Sequence, residues 1–132
     1  MHRVRFILLS VVLSVVAAAC SPEGRVQRED GFVAVVEVNG NSGMDAAISG
    51  PLAVTESGCL GIAETDGGPA IPTVWPEGAR LVGGGALSYG GTEYRQGDQI
   101  SAAGGEATSL PFDMPAECEA DRYFRLYELQ SP

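Results

Sequence analysis

Apolar and polar residues alternate in short stretches along this chain, and turn-forming residues separate the stretches. Leu52 and Val54, Leu60 and Ile62, Leu87 and Tyr89, and Phe124 and Leu126 each lie two apart, the period at which a β-strand presents one face to a core. β-prone runs cover Phe32 to Val38, Pro51 to Thr55, Cys59 to Glu64, Ile71 to Trp75, Arg80 to Val82, Ala86 to Tyr89, Thr92 to Arg95, Gln99 to Ala103 and Tyr123 to Leu129. Between them stand Asn39-Gly40-Asn41, Glu56-Ser57-Gly58, Asp66-Gly67-Gly68-Pro69, Glu77-Gly78, Gly83-Gly84-Gly85, Gly90-Gly91 and Gln96-Gly97-Asp98. Many short strands at this spacing predict an all-β domain: a small antiparallel barrel or sandwich, with an OB-like barrel among the options. Gly90-Gly91 accept the positive φ angles of a tight turn, which predicts a hairpin over 86–95. No segment sustains a helical period, although Pro115 to Arg122 allows one short turn. The stretch from Gly104-Gly105-Glu106 to Pro111 reads as a loop.

The N-terminus follows a different pattern. Arg3 and Arg5 precede an apolar run from Phe6 to Val16, and the small residues Ala17, Ala18 and Ala19 follow it. This is the layout of a signal peptide over 1–19. The apolar stretch from Phe6 to Ala19 is 14 residues long, short of the roughly 20 that a transmembrane helix requires. Cys20 stands directly behind the alanines, and the whole tail resembles the lipobox of bacterial lipoproteins, whose cysteine carries a diacylglyceryl group. Ala17 occupies the position where such a box usually holds leucine, and ordinary secretion is the alternative. Ser21 to Asp30 is polar without apolar periodicity, so 20–30 reads as a flexible tether, leaving 31–132 as a single β domain.

Cysteine count bears on the same question. The chain has three, Cys20, Cys59 and Cys118, an odd number for an exported protein. If Cys20 carries lipid, the other two are left to pair in an oxidising compartment, and a Cys59 to Cys118 disulfide is expected. The alternative is two free thiols.

Composition narrows the chemistry. The chain beyond residue 19 has 113 residues, with all 17 acidic residues and six of the eight arginines, a net charge of −11. Such a field repels phosphate, so no nucleic-acid partner is expected. There is no lysine, and the single histidine is His2, inside the signal segment. The mature chain therefore offers no imidazole base, no Ser-His-Asp arrangement, no histidine zinc ligand and no Schiff-base lysine. Paired carboxylates remain as a route to hydrolysis. Glu64, Asp66 and Asp98 lie at turns but lack the spacing of a calcium loop, so no metal and no cofactor is expected.

Gly50-Pro51-Leu52, Gly58-Cys59-Leu60, Val74-Trp75-Pro76-Glu77-Gly78, Gly104-Gly105 and Cys118 together resemble a group of uncharacterised small secreted bacterial lipoproteins. The resemblance covers about half of the mature chain. It implies a compact β domain with two paired cysteines, and no catalytic residue. The absence of lysine and the high alanine, glycine and valine content suit a high-GC, actinobacterial source. Trp75, with Tyr89 and Tyr94, is the candidate binding surface, a stacking platform for sugar or peptide, set against the plainer reading of core packing. Taken together, the expectation is a non-catalytic binding or accessory module, held through its N-terminal lipid at the cell membrane and facing outside the cytoplasm. Its partner would be an envelope protein or ligand. A small carboxylate-dependent hydrolase and a purely structural envelope protein are the alternatives.

Overall fold

A computed structural model describes residues 21–40 and 45–132. The expected signal segment 1–19 and lipidation site Cys20 lie outside the described residues. Ten strands follow in order: β1 (Glu23–Glu29), β2 (Phe32–Val38), β3 (Ala46–Val54), β4 (Leu60–Ala63), β5 (Ala70–Trp75), β6 (Arg80–Val82), β7 (Ala86–Tyr89), β8 (Thr92–Tyr94), β9 (Gln99–Ala107) and β10 (Tyr123–Leu129).

Five of them close on themselves. Going round, β3 pairs with β4, β4 with β5, β5 with β10, β10 with β9, and β9 with β3. Every pairing in this ring is antiparallel except β5 with β10, where Phe124 faces Thr73 and Arg125 faces Val74 in parallel register. Numbered within the barrel, the order is one, two, three, five, four and back to one, the Greek-key arrangement of an OB-type barrel. Strand β3 serves two neighbours: Ala46 to Pro51 run along β9, and Leu52 to Val54 along β4. Glycine makes the tight crossings feasible. A Cβ on Gly50 would sit 2.0 Å from the Ala63 carbonyl oxygen, and one on Gly104 would sit 2.3 Å from that of Arg125.

Period-two alternation supplies the barrel interior. Leu52, Leu60, Ile62, Ile100, Phe124 and Leu126 share one buried cluster with Trp75. Strands β6 to β8 form a separate antiparallel meander between β5 and β9, and it adds Leu81, Leu87 and Tyr94 to that cluster. The predicted hairpin over 86–95 is present, with Gly90 at φ 58° and Gly91 at φ 82°. The short turn foreseen near Pro115 is a single 3₁₀ turn at Ala116–Cys118.

Two assignments change. The expected tether is, from Glu23 to Glu29, a strand paired with β2 over its whole length. Asp30 and Gly31, at φ 52° and 82°, make the tight turn between them, as a two-residue hairpin requires. Backbone bonds and this turn hold β1 in place without apolar alternation, and Gln27 adds polar contacts. The Gln27 amide donates to the Ala79 carbonyl at 3.2 Å and accepts from the Leu81 N–H at 2.6 Å. Likewise, Gly104 to Ala107 continue β9 rather than opening a loop.

The connection from β9 to β10 then crosses the outside of the barrel as a strap. Phe112 and Met114 pack there on Val33, Val35, Cys59 and Cys118, a second cluster separate from the barrel interior. Phe112 lies so close to β1 that a Cβ on Gly24 would come within 2.5 Å of its ring.

Candidate functional site

The strap is fastened by a covalent bond. Cys59 and Cys118 form a disulfide with a Cα separation of 5.2 Å, inside the usual range for such bridges, and both residues are fully buried. Position 59 is set by the turn after β3: the Thr55 N–H donates to the Cys59 carbonyl, and the Cys59 N–H donates to the Thr55 hydroxyl at 3.0 Å. One residue before Cys118, Glu117 forms a two-pronged ion pair with Arg28 of β1. That hydrogen bond holds the Glu117 carboxyl below the ordinary glutamate range and raises the Arg28 guanidinium further.

Two hollows open beside this fastening, and Ser57 and Glu117 line both. The first, of about 330 Å³, has Phe32 and Val33 with Glu29 and Asp30 along its edge. The second, of about 450 Å³, has Val54, Pro69 and Pro72 with Glu56 and Glu119 along its edge. Five carboxylates thus border the pair of hollows, against the single guanidinium of Arg28.

The aromatic residues named from sequence do not assemble into a platform. Trp75 has no exposed surface and Tyr94 retains only 5%; both belong to the barrel cluster, and Tyr89 packs against it half-buried. Trp75 falls on the inward side of β5, the side that carries Ile71 into the same cluster, so its ring is core and not a stacking surface. Among the described residues its indole N–H has no hydrogen-bond partner. Two of the three turn carboxylates are engaged elsewhere: Glu64 pairs with Arg122, and Asp98 accepts the Arg95 N–H at 2.8 Å. Among the described residues no three side chains of metal-ligating type converge.

A third feature had no signal in the alternation. Glu37 points outward from β2 and meets Arg125, which points outward from β10; the guanidinium reaches its two oxygens at 2.8 and 2.5 Å. The glutamate side chain is only 2% exposed and the arginine 18%. A notch of about 190 Å³ adjoins Glu37, with Glu77 and Tyr127 on its wall. Both oxygens of Glu37 are committed to Arg125, so a second carboxylate there has no free partner of the kind that two-carboxylate hydrolysis uses.

Against protein-family models, curated proteins and solved structures, the chain matches none. The case for function therefore rests on its own residues. Cys59 and Cys118 were legible from the cysteine count. The Arg28–Glu117 and Glu37–Arg125 pairs were not, because their partners are 89 and 88 positions apart and meet only once β1, β2, β10 and the strap are assembled.

Proposed function

We propose that the chain is an exported lipoprotein, held at the cell membrane through a diacylglyceryl thioether on Cys20. It faces outside the cytoplasm and works there as a non-catalytic binding or accessory module. The observation that carries this reading is the cysteine balance. Two of the three cysteines are joined to each other, and the third stands at the end of an apolar segment followed by three alanines. A mature chain without histidine or lysine supports binding over catalysis, since the common acid, base and nucleophile arrangements need those side chains. Strand β1 begins at Glu23, so only Ser21 and Pro22 separate it from the lipidated residue. An extended link that short reaches roughly 10 Å, which supports a domain held near the lipid headgroups.

The test is fractionation of cells making the native chain and a Cys20→Ala variant. The native chain should partition into detergent and resist high-salt washing of membranes, and should take up labelled fatty acid. The variant should leave the membrane fraction or accumulate with its signal segment uncut. Native protein found free in the medium, unlabelled, would establish ordinary secretion in its place.

A further inference from the structure

We infer that the paired hollows at Ser57 and Glu117 are a docking groove for an extended basic segment of a partner protein. Apolar side chains lie at their base, Phe32 and Val33 in one and Val54 and Pro72 in the other, with exposed Pro69 beside them. Each volume lies toward the lower end of the roughly 300–1,000 Å³ typical of ligand pockets. The rim is acidic: Glu29, Asp30, Glu56 and Glu119 are exposed, and Glu117 already holds Arg28. Five carboxylates and one guanidinium leave a net −4 around the two openings.

An extended peptide sends alternate side chains to opposite faces. Apolar residues at every second position can then enter the hollows while arginine or lysine between them meets the rim. An acidic ligand is repelled by the same rim, and an entirely basic one leaves the apolar floor unused. The rim is also firmly placed. Glu117 and Glu119 flank Cys118, whose bond to Cys59 ties the strap to the turn that carries Glu56 and Ser57.

Position in the molecule favours presentation to a partner. Glu29, Asp30 and Gly31 lie at the end of β1 remote from Cys20, and a strand of this length carries them about 20 Å from Glu23. That outward presentation rests on the anchor proposed above; the chemistry of the groove does not.

The experiment uses the full chain purified from whichever cell fraction holds it, so that failure of the anchor and failure of the groove are read separately. Fluorescence anisotropy is recorded with labelled peptides of alternating arginine and valine, alternating glutamate and valine, and arginine with serine. The arginine–valine peptide should bind best, and binding should weaken as salt is raised from about 20 to about 300 mM, since screening shortens the reach of exposed charge. Glu56→Gln combined with Glu119→Gln should weaken it about tenfold, which corresponds to about 1.4 kcal/mol. Asp45→Asn combined with Glu128→Gln, equal in charge but away from the groove, should change it less than twofold. Equal weakening by both double variants would mean attraction to net charge alone and would overturn the inference. So would equal binding of the arginine–serine peptide, or no binding of the arginine–valine peptide. Unchanged thermal midpoints in both variants confirm that each is folded when it is read.

Discussion

Removing the disulfide is the perturbation whose size follows most directly from the fold. Cys59 and Cys118 are 59 positions apart, and closing a loop of about 60 residues in the unfolded chain restricts it by about 4 kcal/mol at 25 °C. A domain of this size is stable by only about 5–15 kcal/mol in all. Reduction should therefore use up a large share of the margin. With a urea dependence of roughly 1.5–2 kcal/mol per molar, the unfolding midpoint should fall by about 2–3 M. The assay is urea unfolding followed by tryptophan fluorescence, since Trp75 is the single tryptophan and lies wholly inside the barrel. Two samples are compared with the native protein: the reduced native chain and the Cys59→Ala, Cys118→Ala double variant. Both lose the cross-link, and only the variant also loses the two buried sulfur atoms. The reduced chain isolates the loop effect, and the variant should be slightly less stable still. The denaturant slope should increase in both, because an uncrosslinked unfolded chain exposes more surface. A midpoint shift below about 0.5 M in the reduced chain would refute the argument, and would mean that strap packing alone holds this part of the structure.

Three further outcomes follow from named contacts. Arg125→Met should destabilise the fold by about 3–5 kcal/mol, because it leaves the Glu37 carboxylate, only 2% exposed, without its counter-charge; adding Glu37→Leu should recover most of that loss in a thermal-melt double-mutant cycle, and a pair of additive losses would contradict it. Gly50→Ala should prevent barrel closure, since its Cβ would meet the Ala63 carbonyl at 2.0 Å, and a variant with native-like circular dichroism and melting would show that β3 has room to shift. Because the Arg28 hydrogen bond lowers the Glu117 carboxyl, that pair contributes stability above the ordinary glutamate range, and the contribution disappears as pH falls through the depressed folded value; the stability gap between native protein and Glu117→Gln should accordingly be present at pH 7, shrink toward zero in acid and shrink with added salt, whereas a gap independent of pH would assign it to packing.

The strands that could be read in advance were those whose inward face carries branched or aromatic side chains. Phe32–Val38, Arg80–Val82, Ala86–Tyr89 and Tyr123–Leu129 appear with the expected limits, and the period-two pairs from Leu52 to Leu126 do share the barrel interior. Strand segments without that signature were missed for two physical reasons. Gly50 and Gly104 look like loop residues, yet each lies in a strand because a neighbouring carbonyl occupies the place of a Cβ. Strand β1 has no apolar face at all, and its order derives from the backbone ladder with β2 and from Gln27, Gly24 and Arg28 meeting the meander and the strap. Sequence alone leaves Trp75 open as a stacking platform; its inward direction is set by the register of β5, which pairs with β4, β10 and β2 along its length.

These contacts divide the molecule into a barrel that alternation builds and an outer layer that specific pairs attach. The barrel cluster requires that apolar residues recur every second position around five closed strands, with glycine kept at the crossings of Gly50 and Gly104, so many sequences that keep those two features can form it. The outer layer is held differently: the disulfide, the Arg28–Glu117 pair, the Glu37–Arg125 pair and Phe112 over Gly24 each join residues far apart in sequence. The second hollow lies where this layer meets the barrel, with Glu117 and Glu119 on the strap and Val54 and Pro72 on barrel strands, and the first lies between the β1–β2 hairpin, Ser57 and Glu117 of the strap. Loosening the strap therefore moves one wall of each hollow while leaving the five-strand ring intact. It follows that the groove depends on the disulfide more directly than barrel closure does, and that reduction under mild conditions separates the two.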